Sequence, residues 1–368
     1  MGKDTFLYQK LFDEIRQNIQ QGKLMDGQKL PSPEELMEAY NVSKITVNRA
    51  LNILAEEGLI RRVQGQGSIV ENRRLTIKKE RKKTSAIGVI LEHLSTPFGL
   101  DMMYQMDLYA QKIGYKTLVR FSFGSVEKET EEIEYLMKLG IDGLIIMPCH
   151  GKYYNQTLLK LYLEDFPIVM VDKNMQGIEL PSVRTDNTAA VRMLVEKLAE
   201  QGCRNIAFFS SDDTNVISVR ERRKGFIEGI DSTGVSEAGI VVLPIKCTQE
   251  ELLSSELNRE VCDSIRKFLA EHAKHADAVI CSEYGIVRPL LQVMGEEGLV
   301  PEKDLRIVTI DEDYLAPGGY HFMHMKQDET GIAHKAMEIL LEQMQSGMSG
   351  RKSEAKEWLV PAIFRESP

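Results

Sequence analysis

Cysteine is scarce and scattered. The 368-residue chain has five, at 149, 203, 247, 262 and 281, and none stands in CxxC spacing. Such a set makes neither a disulfide framework nor a zinc ribbon, and it is expected of reduced thiols in a cytoplasmic chain. No apolar run approaches ~18 residues, so no membrane span is expected. The opening residues MGKDTFLYQKLFDEI lack a continuous apolar stretch and a small-residue cleavage site, so no secretory leader is expected. Gly-x-Ser-x-Gly, a Cys/His pair and a Walker sequence are all missing, which leaves an enzymatic reading unmotivated. His272/His275 and His321/His324 have i,i+3 spacing, but no third ligand accompanies either pair, so neither a metal nor a cofactor is expected.

What remains is an ordinary globular composition: 43% hydrophobic and 27% charged residues. At this length two or three domains are expected. The net charge of −9 argues against nucleic acid until the chain is divided. Residues 1–83 hold 16 Lys and Arg against 11 Asp and Glu, or +5, and the remainder is −14. A basic end on an acidic body is the asymmetry of a chain in which one module meets a polyanion.

The stretch VSKITVNRAL, residues 42–51, reads as an amphipathic helix. Val47, Ala50, Leu51 and Leu54 form the apolar stripe. Ser43 stands where an N-cap belongs. Lys44, Thr46, Asn48 and Arg49 are left for other faces. Before it, LYQKLFDEIRQNI places Leu7, Leu11, Ile15 and Ile19 four apart on a first helix. QGKLMDGQKLP reads as a loop, PSPEELMEAY as a short second helix and NVS as a turn. The acidic residues Glu34, Glu35 and Glu38 read as that second helix's outer face. Gly58 is expected to end the third helix. LIRRVQGQGSIVEN reads as two strands around a glycine-containing tip. Helix, helix–turn–helix and hairpin is the order of a winged helix–turn–helix. Residues 71–84 carry seven basic and two acidic residues, a solvated tether whose cations also suit phosphate.

From Ser85 short apolar strands alternate with amphipathic helices. The strands are AIGVIL, KTLVRFS, DGLIIMP, FPIVMVD, RNIAFFSS, GIVVLPIK, DAVICS and RIVTID. Helices are expected at FGLDMMYQMDLYAQKIG, EKETEEIEYLMKLG, TAAVRMLVEKLAEQG and ERRKGFIEGID, and near 249–272, 284–298 and 328–346. The alternation implies parallel sheets with helices on both faces. There are too many units for one sheet, so two Rossmann-like lobes are predicted. Met102, Met103 and Met106 fall at helix positions suited to a core or a dimer face.

The segment LPSPEELMEAYNVSKITVNRALNILAEEGLIRRVQGQGS resembles the GntR-family DNA-binding domain. The matching elements are LPS, VSxxTVxxAL, LAEEGLI and the GxGS tip. The resemblance implies that Ser32, Ser43, Lys44, Thr46, Asn48 and Arg49 face DNA, with Gln64, Gly65 and Gln66 at the wing tip. Lys44 suits a guanine edge or a phosphate, and Asn48 can pair with adenine. Many family members carry Arg at the position of Asn48.

Residues 85–368 resemble the LacI-type effector domain, which shares its fold with type I periplasmic sugar-binding proteins. The resemblance rests on AIGVILEHLSTPF, GIDGLIIMP, PIVMVDK, SVRTDNTAAVRMLVEKLAEQGCRNIAFF, ERRKGF, DAVICSEYGI, VPEKDLRIVTIDED, MKQDETGIAHKAMEILL and WLVPAIFRES. In this fold ligand binds between lobes at the carboxyl ends of the strands. That position points to Glu92, Phe98, Asp172, Lys173, Arg222, Glu283, Asp311 and Gln327. Carboxylates accepting from hydroxyls, a forked Arg and an aromatic make a mixture suited to a sugar. The family usually has Asn-Asp where this chain has Ser282-Glu283.

The fold class implied is multidomain. An α+β winged helix–turn–helix over 1–70 and a basic linker over 71–84 precede an α/β two-lobed, periplasmic-binding-protein-like domain over 85–368. The resemblance to hybrid GntR/LacI regulators implies a cytoplasmic homodimeric repressor. Its partners would be double-stranded operator DNA and a small-molecule effector, a sugar such as a pentose, with no membrane role. A nucleobase or phosphorylated-sugar effector, and a sugar receptor with no DNA role, are the alternatives.

Overall fold

The computed structural model describes residues 3–20, 23–25, 27–56, 59–63, 67–70, 84–95, 97–149, 155–175, 178–212, 216–245, 259–272, 275–312, 321–346 and 357–366. Gly58, the wing-tip residues Gln64, Gly65 and Gln66, linker residues 71–83 and the 249–258 part of the expected long helix lie outside them, as does the side chain of Leu7. The chain divides into two compact units, Met1–Lys82 and Lys83–Pro368.

In the first unit, helices α1 (Lys3–Gln20), α2 (Pro33–Tyr40) and α3 (Lys44–Glu56) precede strands β1 (Ile60–Val63) and β2 (Gly67–Val70). The strands pair antiparallel, Ile60 opposite Val70 and Val63 opposite Gly67. The core is the predicted stripe: Leu11, Ile15 and Ile19 of α1 pack with Val47, Ala50, Leu51 and Leu54 of α3. The segment read as a loop does more. Gly27 and Leu30 donate to the carbonyls of Val70 and Ser68, and Val70 donates back to Gln28. Residues 27–30 thus lie along β2 and brace the wing. Ser32 caps α2 in a capping box: its hydroxyl accepts from Glu35 N, and the Glu35 carboxylate accepts from Ser32 N. Glu35 is therefore a cap and not merely an outer-face charge.

The second unit has two lobes with one strand order. The first lobe's sheet runs β13-β7-β6-β5-β3-β4. It uses β3 (Ala86–Leu91), β4 (Lys116–Phe121), β5 (Gly143–Ile146), β6 (Ile168–Val171), β7 (Ser182–Thr185) and β13 (Glu357–Val360). Every pairing is parallel. Helices α4 (Leu100–Lys112) and, from late in the chain, α11 (Glu329–Ser346) cover one face; α5 (Val126–Leu139) and α6 (Gln156–Leu163) cover the other. Met102 and Met106 are core residues, and Met103 packs at the core's margin.

The second lobe repeats this order as β14-β12-β11-β10-β8-β9. Its strands are β8 (Asn205–Ser211), β9 (Ser236–Leu243), β10 (Ala278–Cys281), β11 (Arg306–Ile310), β12 (Met323–Lys326) and β14 (Ile363–Arg365). Helices α7 (Asn187–Glu200) and α8 (Ile217–Thr233) pack on one face, and α9 (Arg259–His272) and α10 (Val287–Glu296) on the other. A short 3₁₀ turn, Tyr284–Ile286, precedes α10 where one continuous helix was expected. The central strands are fully buried, Val- and Ile-rich runs, as strands covered on both faces must be. The chain crosses between lobes three times: after β7, after β12 and after β13.

Helices α7 and α8 approach closely because α8 carries Gly225 and Gly229 at i,i+4. A Cβ on Gly225 would lie 2.3 Å from the Thr188 carbonyl oxygen, and one on Gly229 would lie 2.7 Å from Val195 Cβ. Gly225→Ala should therefore destabilise the second unit by about 1–3 kcal/mol through overpacking, despite the better helix propensity of Ala. Urea unfolding of the variant beside the parent chain measures this; an unchanged midpoint would contradict the close approach.

Candidate DNA-reading and effector-binding sites

The first unit presents the amino end of α3. Ser43 Oγ accepts from Thr46 N at 3.2 Å and lies 2.8 Å from Thr46 Oγ1. Thr46 therefore differs from expectation: it is only 4% exposed, turned inward and bonded to the cap. It stands four residues before Ala50, on the buried face. Ser32, Ser43 and Lys44 lie outside the core, with Lys44 Nζ 3.5 Å from Glu34. Arg49 is exposed and stacks its guanidinium 4.3 Å from the centre of the Tyr8 ring. Asn48 is half-buried, and its Oδ1 accepts from Arg62 Nη2 at 2.9 Å; Arg62 Nη1 bonds Asn52 Oδ1. Arg62 sits in β1, so the wing strand holds the reading helix's amide. With Oδ1 engaged, Asn48 offers mainly its NH₂ to a base. Ile45, also missed by the sequence reading, is 81% exposed beside Lys44. An exposed isoleucine in the first turn of such a helix is suited to a thymine methyl.

The second unit gathers its charged residues where the two sheets' strands end. Strands β6 and β11 hold equivalent places in their sheets. Each is followed by an aspartate in left-handed backbone geometry, Asp172 at φ 62° and Asp311 at φ 61°. Non-glycine residues adopt this geometry rarely, and Asp more readily than most. Lys173, 6% exposed, forms an ion pair with Glu92 at the end of β3. Arg222, 8% exposed on α8, donates Nε to Asn187 Oδ1 and Nη1 to the Ser282 carbonyl, both at 2.8 Å. Its charge reaches Asp172 of the first lobe and Glu283 and Asp311 of the second. Burial pushes all three carboxyls above the ordinary range, while Arg222 pulls each back. Burial pushes Lys173 down, but Glu92 and Asp172 outweigh it and hold the ammonium up.

Two expected contacts sit differently. Gln327 is buried at the crossing after β12, and its groups are committed. Its N and Nε2 donate to Asp311 Oδ1 and Oδ2 at 2.9 and 2.7 Å, and its Oε1 accepts from Thr185 Oγ1 at 2.7 Å. Gln327 orients Asp311 and ties two crossings together. Phe98 is half-buried and packs on the first lobe's core, leaving part of the ring exposed. A third link between lobes, unseen in sequence, is Arg184 of β7, which bonds Glu221 of α8 and Glu357 of β13. His321 and His324 do meet a further carboxylate: their Nδ1 atoms lie 3.1 and 3.9 Å from Glu312. Among the described residues no group of three His, Cys, Asp or Glu is arranged to hold a metal ion. Likewise, no helix among them is long and apolar enough to cross a membrane.

Glu329 opens α11 at the same crossing. Its Oε2 accepts from Gly99 N at 2.7 Å and Met102 N at 2.9 Å, capping α4. Burial pushes its carboxyl from 4.5 up to about 7, and Asp311 and Asp101 add to the rise. The folded chain thus holds this proton more tightly than the unfolded one. Stability falls as pH rises from about 4.5 to about 7 and stays reduced above that window. Glu329→Gln keeps an acceptor for both N–H groups and removes the ionisation. It should leave stability near pH 4 unchanged and raise it by about 1–3 kcal/mol at pH 8. Urea midpoints at the two pH values check this, and equal effects at both would refute it.

Residues 7–70 match the family model described as bacterial regulatory proteins, gntR family. Residues 84–283 match periplasmic binding proteins and sugar binding domain of LacI family, which is more than half of the chain. The arabinose metabolism transcriptional repressor of Geobacillus stearothermophilus is 24% identical over 92% of this chain and 91% of its own length. The LacI transcriptional regulator of Alkaliphilus metalliredigens, solved with D-xylulofuranose, superposes with a TM-score of 0.61 at 18% identity. That match covers 77% of this chain and 98% of the other. The Cra dual regulator of Pseudomonas putida, solved with fructose 1-phosphate, gives 0.62 at 19% identity over 77% and 99%. By its paired lobes and its winged head, the chain belongs to the LacI family of regulators and sugar-binding proteins and carries a GntR-type DNA-binding domain.

Proposed function

We propose that the protein is a homodimeric repressor of carbohydrate-utilisation genes that leaves its operator when a sugar binds between the lobes of the second unit. One observation carries this reading. A single chain joins a polar reading helix, with Lys44, Ile45, Asn48 and Arg49 outside its core, to a two-lobed unit whose lobes share the Arg222 charge cluster. A winged head serves duplex DNA in the cytoplasm, and its action needs no catalytic group. The hinge crossings allow two lobe arrangements, and a ligand shifts their balance only by binding one of them better. The likeness to the arabinose repressor supports a pentose. The two structural neighbours hold a free and a phosphorylated sugar respectively, so the fold alone does not choose between them.

A duplex selected from a random pool should bind about 10³-fold or more tightly than unselected DNA at physiological salt. Lys44→Ala should weaken binding to all duplexes and lower the log–log salt slope by about 1, whereas Asn48→Ala should cost about 1–3 kcal/mol only at particular base pairs. A sugar that raises the melting temperature should then weaken the selected complex about 5–150-fold in a gel-shift titration. Unchanged affinity at saturating sugar would overturn the repressor mechanism.

A further inference from the structure

We infer that the cleft takes a polyol carrying no anionic group and rejects its phosphate and carboxylate derivatives, with Ser282, Glu283 and His93 among its polar contacts. This deepens the carbohydrate reading and rests on it. The first ground is the inventory of charge. Among the described residues, Arg184 is taken by Glu221 and Glu357, and the strand ends and the start of α8 set the carboxyl groups of Glu92, Asp172, Glu283 and Asp311 against Lys173 and Arg222. Both cations are already engaged. Lys173 pairs with Glu92, and Arg222 spends Nε on Asn187 and Nη1 on the Ser282 carbonyl while serving three carboxyls. A phosphate needs forked donors or unspent positive charge, as supplied by free Arg, Lys or helix-terminal N–H groups. Here it would meet a surplus of acids.

The second ground is independent of charge. Three side-chain atoms at the strand ends are sealed from water and have no hydrogen-bond partner: His93 Nδ1, Ser282 Oγ and Glu283 Oε1. They come from both lobes, His93 after β3 and the other two after β10. Buried polar groups are normally satisfied, so unsatisfied ones grouped at a site mark partners that arrive with a ligand. Burial holds the Glu283 carboxyl up, and Arg222 and Ser211 oppose that. A hydroxyl both donates and accepts, so it can serve a carboxyl oxygen, a serine hydroxyl and either imidazole tautomer. A phosphate dianion has no proton to give.

The test is a thermal-shift screen of the full chain with matched probes at about 10 mM, a level at which a millimolar ligand gives a visible shift. The probes are D-ribose, L-arabinose, D-xylose, D-glucose and D-fructose, the phosphate esters of each, and D-galacturonate. The expected result is that one or more free sugars raise the melting temperature and that their esters and the uronate do not. An ester or uronate that raises it as much as its parent sugar overturns the inference and leaves the carbohydrate reading standing. Silence across all probes overturns that reading and the inference with it. Two variants then separate ligand contact from structural support. Ser282→Ala and Glu283→Gln should each weaken the active sugar about tenfold while leaving the ligand-free melting temperature unchanged or raised, because each alters a group with an unpartnered buried atom. A lowered ligand-free melting temperature with unchanged affinity would mark both residues as structural and overturn their assignment.

Discussion

The second unit depends on where one guanidinium can be buried. Arg222 cannot shed its charge, so its burial requires fixed partners on every side. The fold supplies them from different elements: the Asn187 amide from the start of α7, the Ser282 carbonyl from the end of β10, and three carboxyls from both lobes. Two of those carboxyls, Asp172 and Asp311, sit in left-handed backbone at the ends of equivalent strands. The cost of that geometry is tolerable because it sets both acids within reach of the same cation. Arg222 thereby ties the lobes electrostatically, since its charge reaches Asp172 of the first and Glu283 and Asp311 of the second.

The crossings tie the lobes further. Gln327 ties Asp311 to Thr185, and Asp186 N donates to the Val360 carbonyl, so all three crossings are joined by hydrogen bonds. Arg184 adds an ion pair from β7 to α8. Thr185, Arg184, Asp311 and Gln327 are buried, and a half-made polar network costs more than either a complete one or none. An arrangement that breaks these bonds only in part is therefore disfavoured. A ligand can favour one arrangement of the lobes only by binding it better than another.

Local structure was legible wherever a period or a cap specified it. The stripe Val47, Ala50, Leu51 and Leu54, the Ser43 cap and the hydrophobic central strands all lie where their spacing puts them. Strands β7, β12, β13 and β14 were not readable as strands. SVRT and MHMK are short and carry charge or imidazole, and they are buried by their neighbours rather than by their own apolarity. That omission hid the crossings, and with them the true place of Gln327. Thr46 was misplaced although the signal was present, since its offset of four from Ala50 puts it inside. Arg62 and Asn48 lie fourteen residues apart on different elements, and no local pattern joins them. Glu329 reads in sequence as an ordinary first-turn acid. Only tertiary packing makes it the cap of α4, a helix more than two hundred residues earlier.

The lobes match in form but not in sequence. The two sheets share a strand order, and the echo VMVDK against VTIDE survives at their equivalent strands. The residue after each aspartate has diverged: Lys173 faces Glu92 in one lobe, and Glu312 faces His321 and His324 in the other. Backbone geometry at that turn is common to both lobes, and it sets an acid at the strand end within reach of Arg222 whichever lobe supplies it. The next side chain is not so held and pairs within its own lobe. A different residue there changes the charge around the strand ends without disturbing the strands themselves.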